Sequence, residues 1–348
     1  MKQVDFLIIG QGLAGTLLAF EMLDRGMSFH LVSSPNKSRA SLVAAGMVNP
    51  LVFKRLTKSW MVDELLPVMK NRYRELEKLL QENFYFEKNI LKPLSSQELL
   101  LWEEKKADSG YQDYIYKISE NAVIDGISNA GSFGEVSGSG YLNLSAFLQR
   151  AESYFLEKEL LTEATINYSD LTNEKGQFHI GEISADKIVF CEGYHLHQNP
   201  LFRFVKMNPA KGEVLLIHAP SLSEEYILNK QVFVLPVGEH RFKVGSTYEW
   251  DDLSESPTQQ GKELILHRLE NLIKVDYSIE DHLAGVRPTI SDRRPVMGAH
   301  PKYPNIFVFN GLGTKGVMLA PRFAREMCMY LMDENDGLRG EINVNRFI

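Results

Sequence analysis

The chain has 348 residues, with 45 acidic and 38 basic side chains and a formal net charge of −7. Hydrophobic residues make up 44% and charged residues 24%, an ordinary globular balance that excludes disordered, collagenous and disulfide-scaffold classes. Two cysteines, Cys191 and Cys328, exclude a cysteine metal cluster and fit a reduced, cytoplasmic setting, and the net acidity argues against an extended nucleic-acid surface.

Residues 4–9 are β-rich and almost continuously apolar, as in a buried parallel strand. Gly10-Gln11-Gly12-Leu13-Ala14-Gly15 follows, and 13–25 has Ala14, Leu17, Leu18 and Met22 on one helical stripe. Gly26 ends that helix, and Phe29 to Val32 gives a second strand, completing a βαβ unit. Asp5 and the glycines interrupt the apolar start, so it is not a targeting segment, and no stretch reaches the ~20 apolar residues of a membrane helix.

Further along, 62–80 predicts a charged helix, 83–100 short strands, and the Gly/Ser-rich stretch 126–140 loop and turn. Residues 143–160 predict a helix carrying Leu144, Phe147, Leu148 and Phe155, and 183–191 a strand ending near Gly193. Antiparallel strands are expected over 212–219 and 231–247, with turns near Pro236 and Glu239, then a helix over 258–274. A strand over 306–310 runs into Gly311-Leu312-Gly313-Thr314-Lys315-Gly316 and a last helix over 317–334. Parallel-sheet signals at both ends and near 185–193, with antiparallel ones between, predict an α/β chain (α+β overall) of two interleaved domains, in keeping with its length.

Gly10-x-Gly12-x-x-Gly15 sits between strand and helix, the context that makes it a dinucleotide site. The first glycine allows the tight turn, the second lets backbone approach a pyrophosphate, and the third lets helix pack close to strand. The phosphate then meets the helix N-terminus. The expected acid about 20 residues on is missing: Ser33 and Ser34 end the second strand, and Lys37 and Arg39 follow. Alone, this leaves FAD, NAD and NADP open and leans toward NADP, although Lys37 and Arg39 also suit a solvated loop. The run from Gly311 to Gly316 makes a second strand–glycine loop–helix junction, which a simple NAD dehydrogenase does not need. Such a junction lets backbone approach a flat ligand and stabilises developing negative charge.

Together these pieces resemble the FAD-dependent oxidoreductases of the D-amino-acid oxidase superfamily, the group of glycine oxidase and sarcosine oxidase. The resemblance spans essentially the whole chain. It rests on Gly10 to Gly15; on Ala40-Ser41 with Ala45-Gly46-Met47 and Pro50; and on Gly140-Tyr141-Leu142-Asn143. It continues in Ala185-Asp186-Lys187-Ile188-Val189 with Gly193, in Gly285-Val286-Arg287-Pro288, and in the run from Gly311 to Pro321. Gly245-Ser246-Thr247-Tyr248 and Gly311 to Gly316 are also similar to the FAD domain of the bifunctional tRNA 5-methylaminomethyl-2-thiouridine biosynthesis enzyme, whose methyltransferase half is absent.

The resemblance implies a Rossmann-like FAD-binding domain assembled from 1–60, 140–200 and 285–348, and an antiparallel-sheet substrate domain from 61–139 and 201–284. It implies oxidation of a C–N bond in a small amine or amino acid, with hydride transfer to flavin N5 and hydrolysis of the imine. Oxygen often reoxidises the flavin in such enzymes. Gly10, Gly12, Leu13, Ala14 and Gly15 would hold the pyrophosphate, and Ser33 and Ser34 would stand at the ribose. Ala40, Ser41, Gly46, Met47 and Gly193 would lie along the cofactor, and Gly311, Gly313, Thr314, Lys315 and Gly316 would face the flavin. Arg287 matches an arginine that grips a substrate carboxylate, for which a planar, always-charged fork is suited. Tyr248 would point a hydroxyl into the same pocket or else sit in the core. Lys315 would stand at the flavin's electronegative edge or face solvent. Neither cysteine lies in a motif for covalent flavin, so FAD is expected to be non-covalent.

Two other readings of the same resemblance stand beside this one: FAD oxidation of a modified tRNA uridine side chain, and flavin binding without amine turnover. His195-x-His197 lacks a third ligand at useful spacing, so no metal is expected. The Lys/Arg content of 54–75 is interleaved with Glu64, Glu75 and Glu77, which makes a solvated helical face rather than an RNA surface.

Overall fold

The computed structural model describes residues 2–34, 40–128, 131–166, 168, 171–174, 177–334 and 337–348. Its first large sheet has a parallel centre, in the order Leu161–Glu163, Phe29–Ser33, Lys2–Ile9, Ile183–Phe190 and Ile306–Asn310. The strand Ile183–Phe190 divides its outer edge: Ile183 to Ala185 pair with the antiparallel Gln177–Ile180, and Ile188 to Phe190 with Ile306 to Val308. Alternate residues of Lys2–Ile9 feed two cores. Phe6 and Ile8 join one cluster, Leu7 and Ile9 the other, which is why the strand's second half, Phe6 to Ile9, is continuously apolar rather than alternating. The helices Leu13–Asp24 and Gly316–Leu331 pack together on this sheet. Val62–Leu80 lies against the second of them, where the buried Tyr73 hydroxyl donates to the Val317 carbonyl at 2.9 Å.

The second large sheet has eight strands, in the order Ser278–Arg287, Ala210–His218, Arg241–Gly245, Phe233–Gly238, Ile227–Asn229, Ile90–Leu94, Gly131–Val136 and Ile115–Ala122. All pairings are antiparallel except Ile227–Asn229 with Ile90–Leu94. Leu215, Ile217, Phe242 and Val244 point to one face and pack with Ile265 and Leu269 of the helix Gln259–Glu270. Their neighbours Gly212 and Val214 point to the opposite face, toward the first sheet.

The mixed α/β architecture is the one expected, and the helix 62–80 and strand 306–310 fall at their predicted bounds. Three stretches differ. Residues 83–100 hold two strands, Tyr85–Glu87 and Ile90–Leu94, but a helix begins at Ser96, fixed by a capping box between Ser95 and Glu98. The Gly/Ser-rich stretch contains the strand Gly131–Val136, where Gly134 makes room for the Trp102 ring rather than a turn. Pro236 lies inside the strand Phe233–Gly238, at a register shift, and the turn is made by Glu239 and His240, both at positive φ.

Candidate active site

A cavity of about 320 Å³ opens beyond the C-terminal ends of the parallel strands, the position where open α/β sheets bind ligands. Ile9, Ser33, Cys191 and Asn310 mark those strand ends on its wall. The opposite wall comes from the second sheet: Gly212, Val214, Phe233, Ser246, Tyr248 and Arg287. No side chain caps the N-terminus of the helix Leu13–Asp24, whose N-cap is Gly12, so its first-turn N–H groups remain available at the cavity edge.

The three motif glycines divide the work. Gly10 has φ +106°, and a Cβ there would stand 2.4 Å from the Cys191 carbonyl oxygen. A Cβ at Gly15 would collide with the Gly10 carbonyl, so Gly15 packs behind the loop and does not line the cavity. A Cβ at Gly12 would meet nothing nearer than Ser41 Oγ at 3.9 Å.

Arg287 ends the strand Ser278–Arg287 and reaches across the neighbouring strand Ala210–His218. Its Nη1 donates to the carbonyls of Ala210 (3.4 Å) and Lys211 (3.1 Å), and its Nη2 to Ser246 Oγ (2.7 Å) and the Thr247 carbonyl (3.2 Å). The Tyr248 ring lies over the guanidinium, 4.2 Å from its centroid, and Trp250 stacks beside Tyr248. Tyr248 is about half exposed, not a core residue. Burial pushes the Arg287 pKa down, and Tyr248 partly opposes this. Among the described residues no carboxylate pairs with Arg287, so its charge is balanced only by dipoles.

Lys315 departs from both expected placements. Its amine points away from the cavity, donating to the Asn49 carbonyl at 2.9 Å and to Ser59 Oγ at 2.5 Å. It is deeply buried, and that burial pushes its pKa down to about 8. Gly311, at φ +77° against Ile290, is likewise a turn residue outside the cavity wall.

A family model described as FAD dependent oxidoreductase (DAO) matches residues 5–329. The chain belongs to this FAD-dependent oxidoreductase family. It is 22% identical to the glycine oxidase of Bacillus licheniformis over 343 residues, 92% of this chain and 90% of that protein. It is 23% identical over 371 residues to the tRNA 5-methylaminomethyl-2-thiouridine biosynthesis bifunctional protein of Leptospira interrogans, 89% of this chain but 55% of that protein. The crystal structure of glycine oxidase from Geobacillus kaustophilus shares the fold, with a TM-score of 0.82 at 18% identity, covering 98% of this chain and 97% of that one. The superfamily and the local likeness expected from the motifs are both borne out.

The site of this FAD-dependent oxidoreductase fits its cofactor. Gly12 keeps its side of the loop open where a pyrophosphate would lie. Ser34 Oγ, buried on the cavity wall where a ribose is expected, has no hydrogen-bond partner among the described residues. A buried hydroxyl without a partner is costly unless a ligand satisfies it. Lys37 and Arg39, which leaned the reading toward NADP, lie outside the described residues; the family assignment replaces that lean with FAD.

Of the other sequence-predicted residues, Leu13, Ala14, Ser33, Ala40, Ser41, Gly46, Met47, Gly193, Gly313, Thr314 and Gly316 all line the cavity. Sequence reasoning missed Gly212, Ser246 and Glu255 on its wall. It also missed Lys243, whose amine donates to the Ala44 carbonyl at 3.3 Å and ties the second sheet to the segment before Gly46; burial pushes its pKa down. His195 lines the cavity, and His197 Nδ1 bonds the Tyr194 carbonyl at 2.7 Å. No group of three metal-binding side chains exists among the described residues. Cys191 lines the cavity as a buried thiol whose pKa burial raises, which makes it a poor nucleophile. No described helix is long and apolar enough to cross a membrane.

Proposed function

We propose that this flavoenzyme oxidises the C–N bond of a small amine or amino acid bearing a carboxylate, producing an imine that water hydrolyses. The single observation that carries this reading is Arg287. A cation is buried on the cavity wall facing the glycine-loop side, with no carboxylate among the described residues to neutralise it. When bound, FAD supplies the electron-accepting chemistry; the chain binds, orients and shields. Gly10 and Gly12 with the helix start at Leu13 hold the pyrophosphate, and Ser33 and Ser34 the ribose. Thr314 and Gly316, at the second glycine junction, lie along the flavin. Arg287 supplies the positive field for the substrate carboxylate, while Tyr248 and Trp250 screen it from solvent. FAD is held without a covalent bond, since neither Cys191 nor Cys328 lies in a motif for covalent flavin. We divide the chain into an FAD domain (1–60, 140–200 and 285–348) and a substrate domain (61–139 and 201–284), although the strand Ser278–Arg287 crosses the boundary at 285 as part of the second sheet and the helix Val62–Leu80 packs on the first.

The test is anaerobic flavin bleaching with glycine, N-methyl amino acids, dicarboxylic amino acids and simple amines. Bleaching by a carboxylate-bearing amine, but not by its descarboxy analogue, is the expected result. No bleaching by any amine would leave a flavin-binding protein without turnover. An oxygen electrode then tests whether oxygen reoxidises the bleached enzyme.

A second reading is oxidation of a modified tRNA uridine side chain, supported by the match to the bifunctional tRNA enzyme. The net charge of −7 weighs against it. It requires salt-sensitive tRNA binding, and the absence of such binding at low salt removes it.

A further inference from the structure

Arg287 was expected to present its fork to a substrate carboxylate, yet both terminal nitrogens already face protein acceptors. Three of these are backbone carbonyls, of Ala210, Lys211 and Thr247. The fourth is the Ser246 hydroxyl, the shortest contact at 2.7 Å. A guanidinium has donors only, so in this pair Ser246 Oγ must accept. The hydroxyl keeps its own hydrogen, and among the described residues no acceptor takes it. Ser246 lines the cavity. Its backbone neighbour Gly245 pairs with Val214 and Phe233, both also on the cavity wall, so the surroundings of the hydroxyl on that side are apolar.

Building on the proposed amine-oxidase reading, we infer that Ser246 is a specificity-determining residue. Its hydroxyl donates a hydrogen bond to the substrate carboxylate, and the Arg287 guanidinium stands behind it as a fixed charge rather than as a bidentate clamp. A hydroxyl that accepts from a cation is polarised into a stronger donor, and its apolar flank raises the value of the bond. Gly212 makes the arrangement possible, because only a residue without a side chain lets the guanidinium cross the strand to reach Ser246. The selectivity that follows is for a carboxylate, whose charge matches Arg287 and whose oxygen accepts from Ser246. A descarboxy amine leaves both unanswered.

The test uses the FAD-loaded enzyme and acetate as probe, read by perturbation of the flavin absorption spectrum, so that it does not depend on turnover. Ser246→Ala should retain FAD and weaken acetate binding by roughly tenfold or more, the loss expected for one charge-assisted hydrogen bond. Ser246→Thr, which keeps the hydroxyl, should restore binding to within about threefold of wild type, given that hydrogen bond is intact. Acetate affinity unchanged in Ser246→Ala overturns the inference, as does a wild-type enzyme that acetate does not perturb. Failure of the underlying reading looks different: acetate binds through Ser246, but no amine bleaches the flavin.

Discussion

The guanidinium of Arg287 lies over Gly212, so closely that a Cβ at position 212 would stand 2.0 Å from Nη2 and 2.4 Å from Cζ. Three adjacent strand segments therefore share one charge: Arg287 supplies it, Gly212 clears its path, and Ser246 and Thr247 receive it. Gly212→Ala should displace the flexible end of Arg287 without breaking the sheet. Expected outcomes are a loss of stability within ~1 kcal/mol and at least tenfold weaker acetate binding, with FAD content intact. Denaturant melts and flavin-perturbation titrations check both, and a variant that binds acetate normally would refute the crossing role of Gly212.

The glycine loop offers a contrast between two variants. At Gly12 an added side chain projects into the cavity, meeting only Ser41 Oγ at 3.9 Å. Gly12→Val should fold normally and purify with little or no flavin. At Gly10 the backbone has φ +106° and the Cys191 carbonyl blocks any Cβ, so Gly10→Ala should lose roughly 1–3 kcal/mol of stability as well as flavin. Thermal melts and the flavin-to-protein ratio separate the two outcomes. Equal destabilisation by both variants would contradict the assignment of space to one glycine and turn geometry to the other.

Lys315 makes stability depend on alkaline pH. Burial lowers its folded pKa to about 8, whereas an exposed lysine titrates near 10.4. Between those values the unfolded chain binds more protons than the folded one, so this group makes stability rise as pH rises through that window. Below about pH 8 both states carry the proton and the full burial penalty is present. Lys315→Met removes the titration. Its stability relative to wild type should be most favourable at or below pH 8 and decline by about 2 kcal/mol toward pH 10. Denaturant midpoints for both proteins at pH 8, 9 and 10 measure this gap. Parallel curves would mean that the amine titrates normally in the fold.

Behind the cavity wall, the Lys211 amine is 1% exposed and is held by Asp252 at 2.6 Å and Ser254 at 3.1 Å, with Glu213 at 3.9 Å. Glu213 in turn accepts from the Thr258 backbone and hydroxyl. These contacts pin residues 249–258, the segment that carries Glu255 to the cavity. Asp252→Asn leaves the buried ammonium poorly compensated. Amide exchange in that segment should quicken by roughly tenfold while the central parallel strands keep their protection. Unchanged exchange would show that Glu213 alone holds the segment.

The nucleotide half of the fold was legible because its strands are buried on both faces and its glycines obey a local geometric code. Other parts yielded less because their causes are tertiary. Gly134 reads as a turn residue, but it is glycine so that Trp102 can pack above the strand. Ser95 and Glu98 did carry a local capping signal over a stretch read as strands. The strand Ser278–Arg287 starts with four exposed residues, two of them charged (Glu280 and Asp281), at the sheet's edge, so its apolar run is confined to Leu283 to Val286. Arg287 itself was identifiable from its motif, but not its partners. Ser246 is 41 residues away in sequence and meets it only across an intervening strand. Lys315 followed its motif into the glycine junction, yet its side-chain direction depends on Asn49 and Ser59, which no spacing rule connects to it.

The divided edge of the strand Ile183–Phe190 has a consequence for biosynthesis. Lys2–Ile9 leaves the ribosome about 180 residues before its neighbour at 183–190 and about 300 residues before the strand Ile306–Asn310. At roughly 5–20 residues per second, the first strand waits ~15–60 s for the last strand of its sheet to be made. For the first ~180 residues of that interval the glycine loop exists without the Cys191 carbonyl it packs against, and for all of it without the second glycine junction. Cofactor capture therefore waits for the strand Ile306–Asn310 and the glycine junction after it, and until 183–190 emerges the nascent chain carries Lys2–Ile9 paired to Phe29–Ser33 on one edge and open on the other, a natural point for chaperone engagement.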